Sequence, residues 1–487
     1  MKTTSKNFLY NVIYQIFILI IPLITTPYIS RVLGVNNIGI YAYTYSIVYY
    51  FMLFSMLGIN NYGARVIAKC NDNIEDRSNK FWNIYLLQLS LTIIMIVLYV
   101  LFILFISYDN KLIMLIQGVY LLSVAFDINW FFFGIEKFKI TISRNIIIKL
   151  ISLILIFTFV KYKNDLWKYT TIMSVSTLLS QLYLWLHLKK YIKRSKIRLK
   201  EILYHLKPCF ILFIPVIAYS IYRVMDKTMI GYLANTTELG NYESAEKIIN
   251  IPLSFIMALG TVMIPYMSKT REDDYKKEII STFELCFCFI LPMAFGLFII
   301  SNDFSNIFFG NEFTKTGNII KLLTSTIIFS AISNVIRTNY LIPKEKDYVY
   351  VKSTIIGAIA NLICNIVFIK RYGAYGACIG TIFAEFIVMA YQIFKTTKVI
   401  NYKKVIKIFG RYCCKTIIMS ITIILIGTLI NKPINKIIFQ VLIGGIVYFI
   451  LNYHYIIYEF LGINKNSKDN EGTNWIVKWR IGIKNQR

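Results

Sequence analysis

Apolar runs of about 20 residues recur along almost the whole chain, from Phe8 to Phe460. An α-helix of that length is needed to cross the hydrocarbon core of a bilayer. Hydrophobic residues make up 57% of the 487 residues and charged residues only 16%, whereas soluble domains carry about 25% charged residues. The sequence therefore predicts an all-α polytopic membrane protein.

Hydrophobic windows predict about fourteen transmembrane helices. They lie near 8–29, 38–60, 82–107, 112–134, 140–160, 167–188, 207–230, 244–268, 279–301, 317–340, 349–369, 374–394, 409–430 and 434–460. We expect two six-helix lobes, 1–200 and 201–400, then two additional transmembrane helices in 401–460 and a basic cytoplasmic tail in 461–487.

The net charge of +28 is typical of nucleic-acid binders, but the placement of the charge excludes that class. Lys and Arg occur in short clusters between the apolar runs. Most of them fall in segments on the same side of the membrane as the N-terminus. An excess of Lys and Arg marks cytoplasmic loops. We therefore expect a multi-pass protein of the cell (inner) membrane, with both termini in the cytoplasm and no nucleic acid bound.

Two pairs of segments indicate an internal repeat. GIYAYTYSI, which begins at Gly39, resembles GNYESAEKI, which begins at Gly240. GIEKFKI, which begins at Gly134, resembles PKEKDYV, which begins at Pro343. A period of six helices is even, so the two halves have the same orientation, as in the parallel repeats of many transporters.

Cysteine and histidine give no sign of a metal site. The eight Cys form no C-x-x-C motif, and the three His (His187, His205 and His454) are far apart. The chain also lacks the G-x-x-x-x-G-K-[ST] motif of ATP hydrolysis. We expect no metal and no cofactor.

Four stretches carry a family resemblance: PYISRVLGVNNIGIYAYTYSI (27–47), DINWFFFGIEKFKITISRN (127–145), MDKTMIGYLANTTELGNYESAEKI (225–248) and RYGAYGACIGTIFAE (371–385). The chain resembles the polysaccharide-transport branch of the multidrug/oligosaccharidyl-lipid/polysaccharide exporter superfamily, which includes the Wzx-type O-antigen and capsule repeat-unit flippases. The resemblance implies a V-shaped pair of six-helix lobes, two extra helices and alternating access around a central cationic cavity.

The implied substrate is an undecaprenyl-pyrophosphate-linked oligosaccharide that moves from the cytoplasmic to the outer leaflet. The expected partners are this polyprenyl-linked glycan, the lipid bilayer, and a glycan polymerase with its chain-length machinery. We expect a monomer that is not an enzyme. The alternatives are a membrane polymerase or ligase of lipid-linked glycans, a lipid II-type exporter, and a multidrug exporter of the same superfamily.

Ionisable residues inside the predicted spans are the candidates for the site, because such residues usually face a cavity or a partner. The seventh helix is the richest, with Arg223, Asp226 and Lys227 on one face. Arg223 suits phosphate, since a guanidinium pairs bidentately with oxyanions. The alternative is that Asp226 neutralises a basic neighbour to fix helix packing.

Further cations are Arg144 and Lys149 in the fifth helix, Arg337 in the tenth, and Arg31 at the end of the first. Arg144, Lys149 and Arg337 are equally well explained as charges at a helix end, and for Arg31 that explanation is favoured. A polar stripe suited to sugar hydroxyls comprises Asn7, Asn11 and Gln15. Coupling to an ion gradient would need an intramembrane carboxylate, for which Glu284 and Asp127 are the candidates.

Overall fold

The computed structural model describes residues 2–70, 73–105, 110–195 and 199–460. Side chains are described from residue 21 onward, apart from a few positions that include Arg223. Within these ranges the regular elements are helices and no strand is present. The predicted basic tail, 461–487, lies outside the described residues.

The α-helices follow one another with short connections. In chain order they are Lys2–Met56 (α1), Ile59–Ala68 (α2), Ile74–Phe105 (α3), Lys111–Ala125 (α4), Asn129–Gly134 (α5), Phe138–Phe159 (α6), Leu166–Leu188 (α7), Leu199–Tyr204 (α8), Leu206–Leu233 (α9), Thr236–Lys269 (α10), Glu272–Phe309 (α11), Thr314–Ile336 (α12), Asp347–Tyr372 (α13), Ala374–Thr396 (α14), Tyr402–Leu429 (α15) and Pro433–Leu451 (α16).

Each predicted hydrophobic window coincides with helix in the described residues. Eleven of the helical stretches there are long and apolar enough to cross a membrane, which confirms the all-α polytopic class. The first window and most of the second lie in one helix, α1, whose backbone is interrupted at Gly34, where φ is 77° and ψ is 170°. Glycine tolerates this positive φ because it has no Cβ.

The fourth window is broken near its end, between α4 and α5. The amide of Gln88 on α3 donates to the carbonyl oxygens of Val124 at 2.6 Å and Asp127 at 2.9 Å. The Gln88 Oε1 accepts from the indole of Trp130, which is fully buried, at 2.9 Å. Because Gln88 replaces bonds that a continuous helix would make, the chain turns here at little cost and places Asn129 at the start of α5.

The sequence match between residues 134–140 and residues 343–349 has a structural counterpart. Glu136 and Glu345 are both non-glycine residues with a positive φ, of 57° and 55°. In each copy the following lysine N–H donates to the carbonyl five residues earlier, Lys137 to Phe132 and Lys346 to Leu341. The same left-handed helix cap therefore recurs at the offset of 209 residues that the sequence match predicts.

The described chain divides into two compact units. The first contains residues 2–243 and 365–377, and the second contains 244–364 and 378–460. The lobe boundaries expected at residues 200 and 400 stay a prediction.

Within the second unit two ion pairs attach the last two transmembrane helices to α11. Glu284 Oε1 lies 3.2 Å from Arg411 Nη1 of α15, and Asp303 Oδ2 lies 2.7 Å from Lys436 Nζ of α16. Both contacts join residues more than 120 positions apart in sequence. Helices α15 and α16 therefore pack as part of the second unit.

Candidate functional site: a polar cavity around Arg144

The first unit contains a cavity of about 480 Å³ between α1, α6 and α7. We call it the Arg144 cavity. Its polar lining consists of Thr25, Asn129, Arg144, Asn145, Lys149, Ser152, Tyr169, Ser176, Thr177, Ser180 and Gln181. A polar cavity of this size among transmembrane helices is where the headgroup of an amphipathic ligand would avoid the hydrocarbon.

Arg144 is 4% exposed and is held by neutral amides. Its Nη2 donates to Asn145 Oδ1 at 2.8 Å and to Asn129 Oδ1 at 3.1 Å, and its Nη1 donates to Gln181 Oε1 at 3.2 Å. These partners come from α5, α6 and α7. The guanidinium is therefore oriented before any ligand binds, which lowers the entropy cost of recognising an anion.

Asp127, an ion-coupling candidate from the sequence, belongs to the same network. Its Oδ1 accepts from the backbone N–H of Asn129 at 3.0 Å and from Asn129 Nδ2 at 2.7 Å. Asn129 thus joins the Asp127 carboxylate to the Arg144 guanidinium through one amide. This arrangement partly balances the charge of Arg144 and leaves the cavity itself lined by cations and neutral groups.

Lys149 is the second cation of the cavity. It lies five residues after Arg144 on α6 and is half-buried. Among the described residues its ammonium makes no hydrogen bond or ion pair. A desolvated cation without a protein partner favours binding of an anion, so Lys149 is the group of the Arg144 cavity that is best placed to pair with a charged ligand.

The charged face of α9 is built differently from the cavity. Asp226 is 4% exposed and accepts hydrogen bonds from Tyr242 Oη at 2.9 Å and from Asn365 Nδ2 at 2.6 Å. Lys227 forms an ion pair with Glu243 at 2.7 Å. The side chain of Arg223, the predicted phosphate ligand, lies outside the described residues. Both described members of this face thus have partners on neighbouring helices.

Arg337 and Glu284 belong to the second unit. Arg337 begins a π-helical turn, Arg337–Leu341, and donates to Asn334 Oδ1 at 2.5 Å while its guanidinium lies 5.3 Å from the Tyr350 ring centre. Glu284 Oε1 accepts from Arg411 at 3.2 Å and from Tyr412 Oη at 3.3 Å. Contacts of this kind suit fixed positions in a packed unit.

Among the described residues that line the Arg144 cavity, Arg31 is absent. Arg31 is exposed on α1. The side chains of Asn7, Asn11 and Gln15 lie outside the described residues. Their proposed contacts with sugar hydroxyls therefore stay a prediction.

Sequence reasoning missed the amides that orient Arg144, above all Asn129 and Gln181. A signal for Gln181 was present, because α7 carries polar residues at helical spacing at Tyr169, Ser176 and Ser180, all of which line the cavity. No comparable periodicity surrounds Asn129, which follows a helix break.

Comparison with known proteins assigns the chain to a family. Residues 4–271, more than half of the chain, match the family model described as "Polysaccharide biosynthesis protein". The chain belongs to the polysaccharide biosynthesis protein family. The matched segment covers every residue that lines the Arg144 cavity, and the family resemblance read from the sequence is confirmed.

Curated relatives of the chain agree with this family assignment. Two bear the name "Putative O-antigen transporter". The one from Shigella dysenteriae is 26% identical over 76% of this chain and 94% of its own. The one from Escherichia coli K12 is 22% identical over 81% of this chain and 97% of its own.

A solved structure supports the fold. The structure of the lipid II flippase MurJ in an inward closed conformation superposes with a TM-score of 0.77 at 20% identity, covering 93% of this chain and 99% of that one. The chain therefore has a MurJ-like fold.

Proposed function

We propose that this protein is a flippase that moves undecaprenyl-pyrophosphate-linked oligosaccharide repeat units from the cytoplasmic to the outer leaflet of the cell membrane. Alternating access would expose the site to each side in turn. The product would feed the biosynthesis of a surface polysaccharide of the capsule or O-antigen type. Both termini would lie in the cytoplasm, as the distribution of Lys and Arg indicates.

The Arg144 cavity is the observation that carries the proposal. Moving a glycan headgroup across a bilayer costs several kcal/mol for each unpaired polar group and far more for a charge. The cavity offers Lys149 and the oriented Arg144 guanidinium to an anion, and hydroxyls and amides to sugars. Among the described residues that line the cavity, no nucleophile is hydrogen-bonded to an adjacent base, as an enzyme of acyl or glycosyl transfer would need.

The sidedness of accumulated glycan tests the proposal. A strain that lacks this protein should hold complete lipid-linked repeat units that are protected from an impermeant sugar-oxidising reagent added to intact cells. Assembly would proceed on the cytoplasmic side, and the polar headgroup cannot leak across the hydrocarbon.

The same assay separates the alternatives. Loss of a membrane polymerase would leave single repeat units exposed on the outer side. If the strain shows this result, the protein is assigned as an enzyme and not as a flippase. Accumulation of protected lipid II instead of repeat units would assign the protein to peptidoglycan precursor export.

A further inference from the structure

A row of tyrosines follows one face of the second half of α1. Tyr41, Tyr45 and Tyr49 are four residues apart, so their rings share a stripe about 12 Å long. The ring centres of Tyr41 and Tyr45 are 6.0 Å apart with the rings nearly parallel at 9°, and those of Tyr45 and Tyr49 are 6.3 Å apart.

Neighbouring helices extend this row. The Tyr169 ring of α7 lies 5.0 Å from that of Tyr41, and the Tyr120 ring of α4 lies 5.2 Å from that of Tyr45. Tyr50 adjoins Tyr49 at 6.5 Å. We call this set the tyrosine ladder: Tyr41, Tyr45, Tyr49, Tyr50, Tyr120 and Tyr169. Tyr120 is buried, whereas the other five rings are half-buried and so keep accessible surface.

Helix packing alone does not explain the hydroxyl groups. In a transmembrane segment phenylalanine would fill the same space without the cost of desolvating a hydroxyl. Tyr41 and Tyr120 bond each other at 2.8 Å. Within the described part of the chain, the hydroxyls of Tyr45, Tyr49 and Tyr169 make no hydrogen bond, so they remain available to water or a polar ligand.

The two ends of the tyrosine ladder meet charged groups. At one end Tyr169 lines the Arg144 cavity, where Lys149 is also found. In the middle of the row Tyr45 lies near Lys227 and Glu243, and at the other end Tyr50 lies near Asp226. The hydrogen bond between Ser46 Oγ and Thr228 Oγ1, 2.9 Å long, holds α9 beside this part of α1. An aromatic surface thus leads away from the Arg144 cavity within one unit.

We propose that the tyrosine ladder is a binding surface for the sugar rings of the transported glycan, with the anionic group of the ligand held at Lys149 and Arg144. The C–H groups of a pyranose carry partial positive charge and suit the negative face of an aromatic ring. The free phenol hydroxyls bond the sugar hydroxyls. A repeat unit of several sugars is long enough to lie along a stripe of about 12 Å. This inference rests on the proposed function.

The test separates the contribution of the aromatic rings to sugar binding from that of the hydroxyl groups. The double variant Tyr45→Leu with Tyr49→Leu keeps apolar bulk and removes the ring faces, whereas Tyr45→Phe with Tyr49→Phe keeps the faces. Tyr162→Leu is the control, because Tyr162 is 74% exposed and lies outside the ladder. The full-length protein is placed in nanodiscs with neutral oligosaccharides released from the host's own surface polysaccharide, and saturation transfer to sugar ring protons is measured by NMR.

We expect full transfer with the wild type and the control, and reduced transfer with the Phe pair, which loses two hydroxyl groups. The Leu pair should lose about tenfold or more, since two stacking contacts are removed as well. Melting temperatures of the variants, measured in parallel, show that each is folded. Equal transfer in the Leu pair and the wild type overturns the proposal and identifies a packing cluster only, as does the absence of transfer in the wild type.

A failure of the ladder is distinguishable from a failure of the flippase function. The probe carries no phosphate and no lipid, so its binding does not require transport. Protected lipid-linked glycan in the deletion strain together with normal export by the Leu pair would retain the flippase and reject the ladder. Sugar transfer that depends on the rings, without any accumulation of lipid-linked glycan in the deletion strain, would retain the ladder and reject the flippase.

Discussion

Gly39 and Gly240 pack reciprocally against each other's helices. A Cβ on Gly39 would overlap the carbonyl oxygen of Thr236, and a Cβ on Gly240 would overlap the carbonyl oxygen of Val35. Each overlap maps onto the other by the repeat offset of 201 residues. The two repeats therefore meet here through a local two-fold relationship that only glycine permits on both sides.

Gly39→Ala should destabilise the protein, because the added methyl group meets backbone atoms that cannot move independently. Overpacking of this kind costs about 1–3 kcal/mol and should lower the melting temperature measured in detergent. Gly296→Ala is the matched control, since a Cβ at Gly296 within α11 would meet open space and alanine favours helix. Equal melting temperatures for the two variants would contradict this prediction.

Lys149→Gln should reduce glycan export about tenfold, because a half-buried cation paired with an anion typically contributes about 1.4 kcal/mol or more. Lys149→Arg should retain most of the activity. Lys139→Gln is the control on the same helix, since Lys139 is exposed. Surface glycan is quantified at matched protein levels. Full export by Lys149→Gln would remove Lys149 from the site.

Glu284→Gln should retain export. The sequence suggested Glu284 as an ion-coupling carboxylate, but its bonds to Arg411 and Tyr412 favour a packing role between α11 and α15. The ion pair is partly exposed, so its loss should cost about 1 kcal/mol or less. Export is compared with that of Arg411→Gln, which breaks the same pair. If Glu284→Gln alone abolishes export at normal protein level, the result would support Glu284 as the ion-coupling carboxylate.

Asp165 should make stability depend on pH. The hydrogen bond from Lys168, with further bonds from the backbone N–H groups of Lys161 and Tyr162, lowers the pKa of the Asp165 carboxyl to about 2. Because the folded pKa is below the unfolded value of about 3.9, the ionised carboxylate stabilises the fold above pH ~4 and loses this effect as pH falls towards 2.

The measurement is the difference in melting temperature between the wild type and Asp165→Asn. This difference should be largest near pH 6 and should shrink steadily below pH ~4. A difference that stays constant down to pH 3 would show that Asp165 does not titrate in this way.

Cysteine labelling tests the predicted orientation. In a background without the native cysteines, cysteines at Lys190 and Asn401 should resist an impermeant thiol reagent added to intact cells, and a cysteine at Asn235 should react. All three positions are exposed. Reaction at Lys190 from outside would invert the topology.

The helices could be predicted from the sequence because span length and apolarity are local properties. It could not place the break before Asn129, which depends on Gln88 from another helix. Contacts between distant residues were equally hidden. Examples are Arg144 with Gln181, and Glu284 with Arg411, a partner 127 positions away in the chain.

The charged face of α9 shows the same limit. Spacing placed Asp226 and Lys227 near each other on one helix, and both residues occur where the sequence indicated. Their hydrogen bonds and ion pair run to Tyr242, Glu243 and Asn365 on other helices. Periodicity identifies a polar face, but only tertiary packing determines what each polar group contacts.

The two ion pairs on α11 have a consequence for the choice of membrane. Glu284 and Asp303 are 19 residues apart in one helix, which corresponds to about 28 Å along its axis and is close to the hydrocarbon thickness of an average bilayer. With Arg411 and Lys436 they form two ion pairs at that separation. In a thicker bilayer one of these ion pairs would lie among the lipid tails, so acyl-chain length in the host membrane should be matched to this spacing.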